Sequence, residues 1–165
     1  MAVIISLLSI AVLTVADQVI KFFIERDLRP VEEIPFVDGF LHWEYVQNTG
    51  AAFGSFSDNT LLLSIITGII IFCGIVAIII KKINNKFLLV TSVMIISGGL
   101  GNLIDRIMRG YVVDFICVEF IDFPVFNLAD CCITIGAGLL ILYVILSEIK
   151  ERKEKKLGGD EDAVK

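Results

Sequence analysis

Two acids in a chain poor in charge could do chemistry together. Asp114 lies in Tyr111-Val112-Val113-Asp114-Phe115, with apolar neighbours on both sides, and Asp130 follows Asn127-Leu128-Ala129. Only 15 residues separate them, so the ends of one short loop can bring the carboxylates together. Two carboxylates close together in a low dielectric do not both ionise easily; one keeps a proton, and the pair titrates as a unit. Such a pair suits attack of water on an amide. The carboxylate takes the water proton and the carboxylic acid hydrogen-bonds the carbonyl oxygen. This chemistry requires no metal, no cofactor and no covalent intermediate. Taken alone, Asp130 reads as a helix N-cap, where Asp is favoured and an anion is stabilised.

Other polar residues stand at the edges of apolar runs. Asp17 and Lys21 are four apart, acid before base, which is a favourable pair on one helix face. They serve either as a plain ion pair or as part of a site. Asn102, Asp105 and Arg106 close the third apolar run, with Asn102 on the face of both charges. An anion at a helix C-terminus is disfavoured by the macrodipole, so Asp105 needs a donor such as an arginine or a backbone amide. Asn48-Thr49-Gly50-Ala51-Ala52-Phe53-Gly54 is rich in small residues that permit close backbone approach. It reads equally as a turn into the next helix.

The elements that must position these residues are membrane spans. Of 165 residues, 56% are hydrophobic and 20% charged, with a mean hydropathy of +0.86. That composition argues against a soluble globular domain and against disorder. A net charge of -5 without a dense basic patch argues against nucleic acid as a partner. Four apolar runs cover residues 1–24, 61–80, 87–104 and 131–147. About 20 residues of helix cross a hydrocarbon core of roughly 30 Å. The expected helices are residues 2–24, 61–80, 87–105 and 130–148. Lys81, Lys82 and Lys86 crowd the link between the second and third, and Lys150, Arg152, Lys153, Lys155 and Lys156 follow the fourth. The positive-inside rule makes both segments cytoplasmic, with both termini on that side. The first run lacks a positive n-region and a small-x-small cleavage site, so it reads as a retained helix.

Two segments then face outward, residues 25–60 and 106–129. In the first, residues 34–37 and 40–46 flank Asp38-Gly39, a favoured hairpin turn, and Trp43 and Tyr45 suit a membrane interface. In the second, residues 111–116 read as extended. The fold class is therefore an all-α membrane protein of four transmembrane helices with a small extracytoplasmic hairpin or sheet over residues 34–54. Residues 1–150 form one integral membrane domain and 151–165 a charged cytoplasmic tail. A monomer suffices. Cys73, Cys117, Cys131 and Cys132 lack the spacing of a metal knuckle and read as small buried apolar residues. His42 is the single histidine, which leaves zinc and nucleophile–histidine catalysis poorly supplied; it reads as an interfacial polar residue.

Read together, these segments resemble the lipoprotein signal peptidase (signal peptidase II) family across essentially the whole chain. The resemblance is carried by Ala16-Asp17-Gln18 with Lys21, by Asn48 to Gly54, by Gly101-Asn102-Leu103-Ile104-Asp105-Arg106, by Val112-Val113-Asp114-Phe115 and by Phe126-Asn127-Leu128-Ala129-Asp130. It implies a multi-pass aspartic endopeptidase of the bacterial inner membrane, working near its outer face. It implies prolipoprotein substrates whose cysteine carries diacylglycerol, cut just before that cysteine. The implied dyad is Asp114 and Asp130. Asn48, Asn102, Arg106 and Asn127 match substrate-site positions, Asp17, Lys21 and Asp105 match positions important to activity or its architecture, and Gly50 and Ala129 join them as substrate-binding or supporting residues. Membrane lipids and globomycin-type inhibitors are the other implied partners. The loop between the aspartates is short, and the tail after Lys150 lies outside the family pattern.

Two rival readings use the same residues. A proton-coupled transport protein would use the acids as a relay, although they gather at one side. A non-enzymatic interaction protein would use them only as helix caps. Within the peptidase reading, residues 25–60 are expected to act as a movable clamp over the dyad.

Overall fold

The computed structural model describes residues 1–50 and 59–162, with side chains through residue 155. Ala51, Ala52, Phe53 and Gly54 of the small-residue block, and with them part of the expected clamp, lie outside the described residues. Helix α1 (Ala2–Phe23) runs into a π-helical turn, Ile24–Leu28. Strands β1 (Glu33–Val37) and β2 (Leu41–Asn48) follow. Then come α2 (Thr60–Ile79), α3 (Lys86–Arg109), β3 (Val112–Val118) and α4 (Leu128–Asp162). Among the described residues, four helices are long and apolar enough to cross a membrane. The chain is a multi-pass membrane protein.

Helix α3 is central and packs against α1, α2 and α4. Ile10, Ile71, Ile78, Val93 and Ile96 form the buried apolar cluster. Outward positions are just as apolar: Ile4, Leu8, Val12, Ile69 and Phe72 are exposed, as lipid-facing residues must be. Small residues set how closely the helices approach. A Cβ on Gly98 would collide with the Ala129 carbonyl, and one on Gly101 with the Asp17 carboxylate. Helix α3 thus brings α1 and the start of α4 to within backbone contact at one end of the bundle.

The sheet caps that end, in the order β1-β2-β3 and antiparallel throughout. Its hairpin closes when the Phe40 amide donates to the Val37 carbonyl at 2.9 Å, with Gly39 at a φ of 70°. The turn is one residue longer than Asp38-Gly39 alone, because Phe40 belongs to it. Strand β2 continues to Asn48, and β3 pairs its Val112 with Asn48 and its Asp114 with Val46.

Three helix ends differ from the sequence reading. Asp105 and Arg106 do not close α3, which runs on to Arg109 and stops at Gly110, in the left-handed region at a φ of 82°. The left-handed residue ends the helix there, and glycine adopts it without strain. Helix α4 begins at Leu128 rather than 130 and continues to Asp162, so the charged segment after residue 150 extends the helix. Glu148 with Arg152 and Lys150 with Glu154 are spaced four apart along that extension. The cysteines also differ: Cys73 is exposed, and Cys117, Cys131 and Cys132 are only half-buried.

Candidate active site

Asp114 and Asp130 line one cavity of about 780 Å³ together with Asn48, Gly50, Asn102 and Arg106. Val46, Phe123, Phe126, Ile133 and Ile135 add apolar lining. A shallower apolar groove of about 440 Å³ lies on α1 beside Val15, Val19, Phe22 and Ile104, and no ionisable side chain lines it.

Asn127 joins the two acids. Its side-chain amide donates to Asp114 Oδ1 at 2.6 Å, and its backbone N–H donates to Asp130 Oδ2 at 3.2 Å. Its Oδ1 in turn accepts from the Asp130 N–H at 3.0 Å. This reciprocal arrangement is a capping box with Asn127 as the cap and Asp130 at the third helical position. Asp130 is therefore not the N-cap that its surroundings suggest; Asn127 is, because α4 starts at Leu128. Two further amides complete the set. Asn48 Nδ2 donates to Asp114 Oδ2 at 2.8 Å, and Asn102 Nδ2 donates to Asp130 Oδ1 at 2.7 Å. Both acids thus receive neutral donors, and neither carboxylate forms an ion pair among the described residues.

Burial raises the Asp114 carboxyl to about 7, and the nearby Asp130 charge adds to the rise. The hydrogen bonds from Asn48 and Asn127 and the more distant Lys21 charge pull the other way, but weakly. Asp114 is 1% exposed, so desolvation dominates. Near neutral pH this carboxyl exists in both protonation states.

A second polar cluster lies behind the first, and it is made of paired charges. Lys21 Nζ sits 3.0 Å from Asp17 Oδ2, 2.8 Å from Asp105 Oδ2 and 2.9 Å from Asn102 Oδ1. Its three donors meet three acceptors, which is what a fully buried ammonium requires. Asp105 receives further donors from Arg109, from Gln18 Nε2 at 3.1 Å and from the Val113 backbone at 3.2 Å. Asp105 thus finds both kinds of donor, an arginine and a backbone amide. Asp17 Oδ1 accepts from the Ala129 N–H at 3.1 Å, one of the orphan amides at the start of α4.

These contacts reach the cavity by two routes. Lys21 holds the Asn102 carbonyl oxygen, which turns the Asn102 amide toward Asp130. Asp105 holds Val113, the residue before Asp114. Arg106 donates to the Gly50 carbonyl at 3.1 Å, and its Nε is buried without a partner among the described residues. Arg109 and Glu25 were missed in the sequence reading, and Gln18 entered it only within the Ala16-Asp17-Gln18 block. Asp105 and Arg109 are an acid and a base four apart, and the spacing that singles out Asp17 and Lys21 would have found them. Glu25 meets Arg109 at 3.1 Å and Tyr111 at 3.0 Å, a contact that no local pattern encodes. His42 lies away from the cavity, on the sheet.

Comparison with known proteins places this architecture. The family described as signal peptidase (SPase) II matches residues 9–146. The chain belongs to the signal peptidase II family. A lipoprotein signal peptidase of Clostridium acetobutylicum is 35% identical over 148 residues, covering 88% of this chain and 96% of the relative. One from Clostridium tetani is 41% identical over 134 residues, covering 79% and 86%. One from Halalkalibacterium halodurans is 39% identical over 147 residues, covering 87% and 94%. Among solved structures, a bacterial membrane enzyme determined in meso at 2.3 Å superposes with a TM-score of 0.80 at 34% identity, covering 87% of this chain and 88% of that one. A second, at 1.9 Å, gives 0.75 at 35% identity, covering 84% and 91%.

Membership in signal peptidase II makes the chain a membrane protease. In this member the two clusters occupy the same end of the bundle, where α1 and α3 end, α4 begins and the sheet covers them. Helix α2 carries no Asp, Glu, His, Lys or Arg between Thr60 and Ile79.

Proposed function

We propose that this signal peptidase II is an aspartic endopeptidase that removes signal peptides from diacylglyceryl-modified prolipoproteins, cutting before the lipidated cysteine. The observation that carries the reading is the Asn127 bridge, which turns both carboxylates into one cavity while leaving neither neutralised by a cation. Asp114 holds the shared proton and donates it to the scissile carbonyl oxygen. Asp130 faces the backbone amides at the start of α4, accepts the proton of the attacking water and so generates the nucleophile. The tetrahedral intermediate collapses with protonation of the leaving nitrogen by the same pair. Each proton lost by water is returned to product, so the dyad ends as it began.

The cavity wall fits an unwound peptide flanked by lipid. A signal peptide arrives as a helix whose amides are already hydrogen-bonded. Asn48, Gly50, Asn102, Asn127 and the unpartnered Arg106 Nε offer replacements once the cleavage segment is extended. The apolar lining from Phe126 to Ile135 suits side chains and acyl chains. A globomycin-type cyclic peptide would bind by occupying the same polar lining. Asp17, Lys21, Asp105 and Ala129 act as positioning residues. The lysine-rich links at the opposite end of the bundle support cytoplasmic termini and a cavity near the outer face of a bacterial inner membrane. Residues 1–150 work as one unit, and a monomer contains every residue named.

The test is cleavage of a diacylglyceryl prolipoprotein by purified Asp114→Asn and Asp130→Asn. Each variant should insert and unfold cooperatively yet lose cleavage. Cleavage near the parental rate by either would end the aspartic reading.

A further inference from the structure

The sheet carries a separate cluster of ligand-type side chains. His42 and Glu44 are two apart on β2 and share a face, and the register sets His42 opposite Cys117 on β3. One ligand atom from each of His42, Glu44 and Cys117 lies within 4.8 Å of the other two. His42 Nε2 is 3.4 Å from Glu44 Oε2, and His42 Nδ1 is 3.0 Å from Glu119 Oε1. His42, Glu44 and Cys117 are half-buried, so the cluster is reachable from solvent but held by the sheet.

We propose that this cluster binds a zinc-class divalent metal, with His42 Nε2, Cys117 Sγ and Glu44 as ligands and Glu119 as the acceptor that orients the imidazole. Sulfur, imidazole nitrogen and carboxylate together suit Zn²⁺; Ca²⁺ and Mg²⁺ prefer oxygen alone. A ligating histidine commonly donates its other ring N–H to a carboxylate, which fixes the tautomer. Glu119 stands where that acceptor is needed. On metal binding the sulfur–metal bond forms as the thiol proton leaves to solvent, and no electron is transferred. The fourth position is left to water. The sequence offers no paired-ligand spacing because the ligands come from strands about 70 residues apart, brought together only by antiparallel register. The metal joins β2 to β3 at the end of the sheet remote from the Asn48–Val112 pairing.

The experiment uses the full-length reduced protein in detergent, titrated with Co²⁺ as the spectroscopic probe and then with Zn²⁺. One Co²⁺ per chain should bind with a sulfur-to-cobalt charge-transfer band that Zn²⁺ abolishes. Cys117→Ser should lose the band although Cys73, Cys131 and Cys132 remain. Glu119→Gln should weaken binding by roughly ten- to a hundred-fold, and His42→Ala by more. Zn²⁺ should raise the Tm of the parent but not of Cys117→Ser, because a ligand that binds only the folded chain stabilises it. Metal-free unfolding transitions check that each variant has folded. Absence of the band in the parent, its persistence in Cys117→Ser, or equal affinity in His42→Ala would each overturn the proposal.

Discussion

Two buried polar clusters lie side by side at one end of this bundle, and they solve burial in opposite ways. Around Lys21, every charge meets an opposite charge: Asp17, Asp105 and Arg109 complete a closed knot in which Lys21 and Asp105 are both 0% exposed. Around Asn127, two carboxylates are held by neutral amides and open onto a cavity. A paired charge in a low dielectric is held in one position by its partners. A carboxyl held only by amides stays in place but keeps a proton free to move. In the proposed mechanism the first cluster builds the site and the second performs the chemistry.

The sharpest way to break that contrast is to remove charge from the open cluster. Asp130→Asn or Asp114→Asn should lower cleavage by about a hundred- to ten-thousand-fold with the fold intact, read as initial rates on a lipidated precursor. In the closed cluster the cost should fall on stability instead. Lys21→Met leaves Asp17 and Asp105 without their shared cation and should destabilise the protein by roughly 3–5 kcal/mol, seen as a lowered thermal midpoint.

The pH dependence of stability separates the clusters further. The Asp114 carboxyl rises from an ordinary 3.8 to about 7 on folding. Below the lower value it is protonated in both folded and unfolded chains. Between the two values the folded protein retains a proton that the unfolded chain has lost, so stability declines as pH rises, and the decline ends above the higher value. Asp114→Asn cannot ionise. It should be more stable than the parent by a margin that widens between about pH 4 and pH 7, reaching on the order of a few kcal/mol. Cleavage by the parent should fall as pH rises through about 7, since the proton that the proposed mechanism assigns to Asp114 is lost there. An equal margin at both pH values would show that Asp114 carries no special proton.

The smallest expected effect tests the bridge itself. Asn127→Ser keeps a side chain able to cap α4 but too short to reach Asp114. Stability should change by less than about 1 kcal/mol. Cleavage should drop by roughly a hundred-fold, because the two carboxylates lose their common support. Equal losses in both would make Asn127 a cap and nothing more.

Composition and local spacing carried a large part of this protein. Four apolar runs of membrane length must form helices, because lipid offers no partner for an open backbone. The Asp17–Lys21 spacing places an acid and a base on one turn whatever the rest of the chain does. Asp38-Gly39 marks the hairpin, since the turn needs a residue that accepts a positive φ. Helix ends were less visible. The continuation of α3 to Arg109 was hidden because a charged last turn looks like a loop when judged by hydropathy alone. The same bias hid the helical extension after residue 150, where charges four apart support one another.

What only the tertiary structure decided is which of these groups meet. No local pattern tells that Lys21 will hold Asn102 and so turn its amide toward Asp130, or that Asp105 will hold the strand carrying Asp114. Those outcomes depend on how closely α1, α3 and α4 approach, and that distance is set where Gly98 and Gly101 leave no side chain between the helices. Chain chemistry dictates the cost of burying each polar group. Only the packing of distant segments determines which partner offsets it.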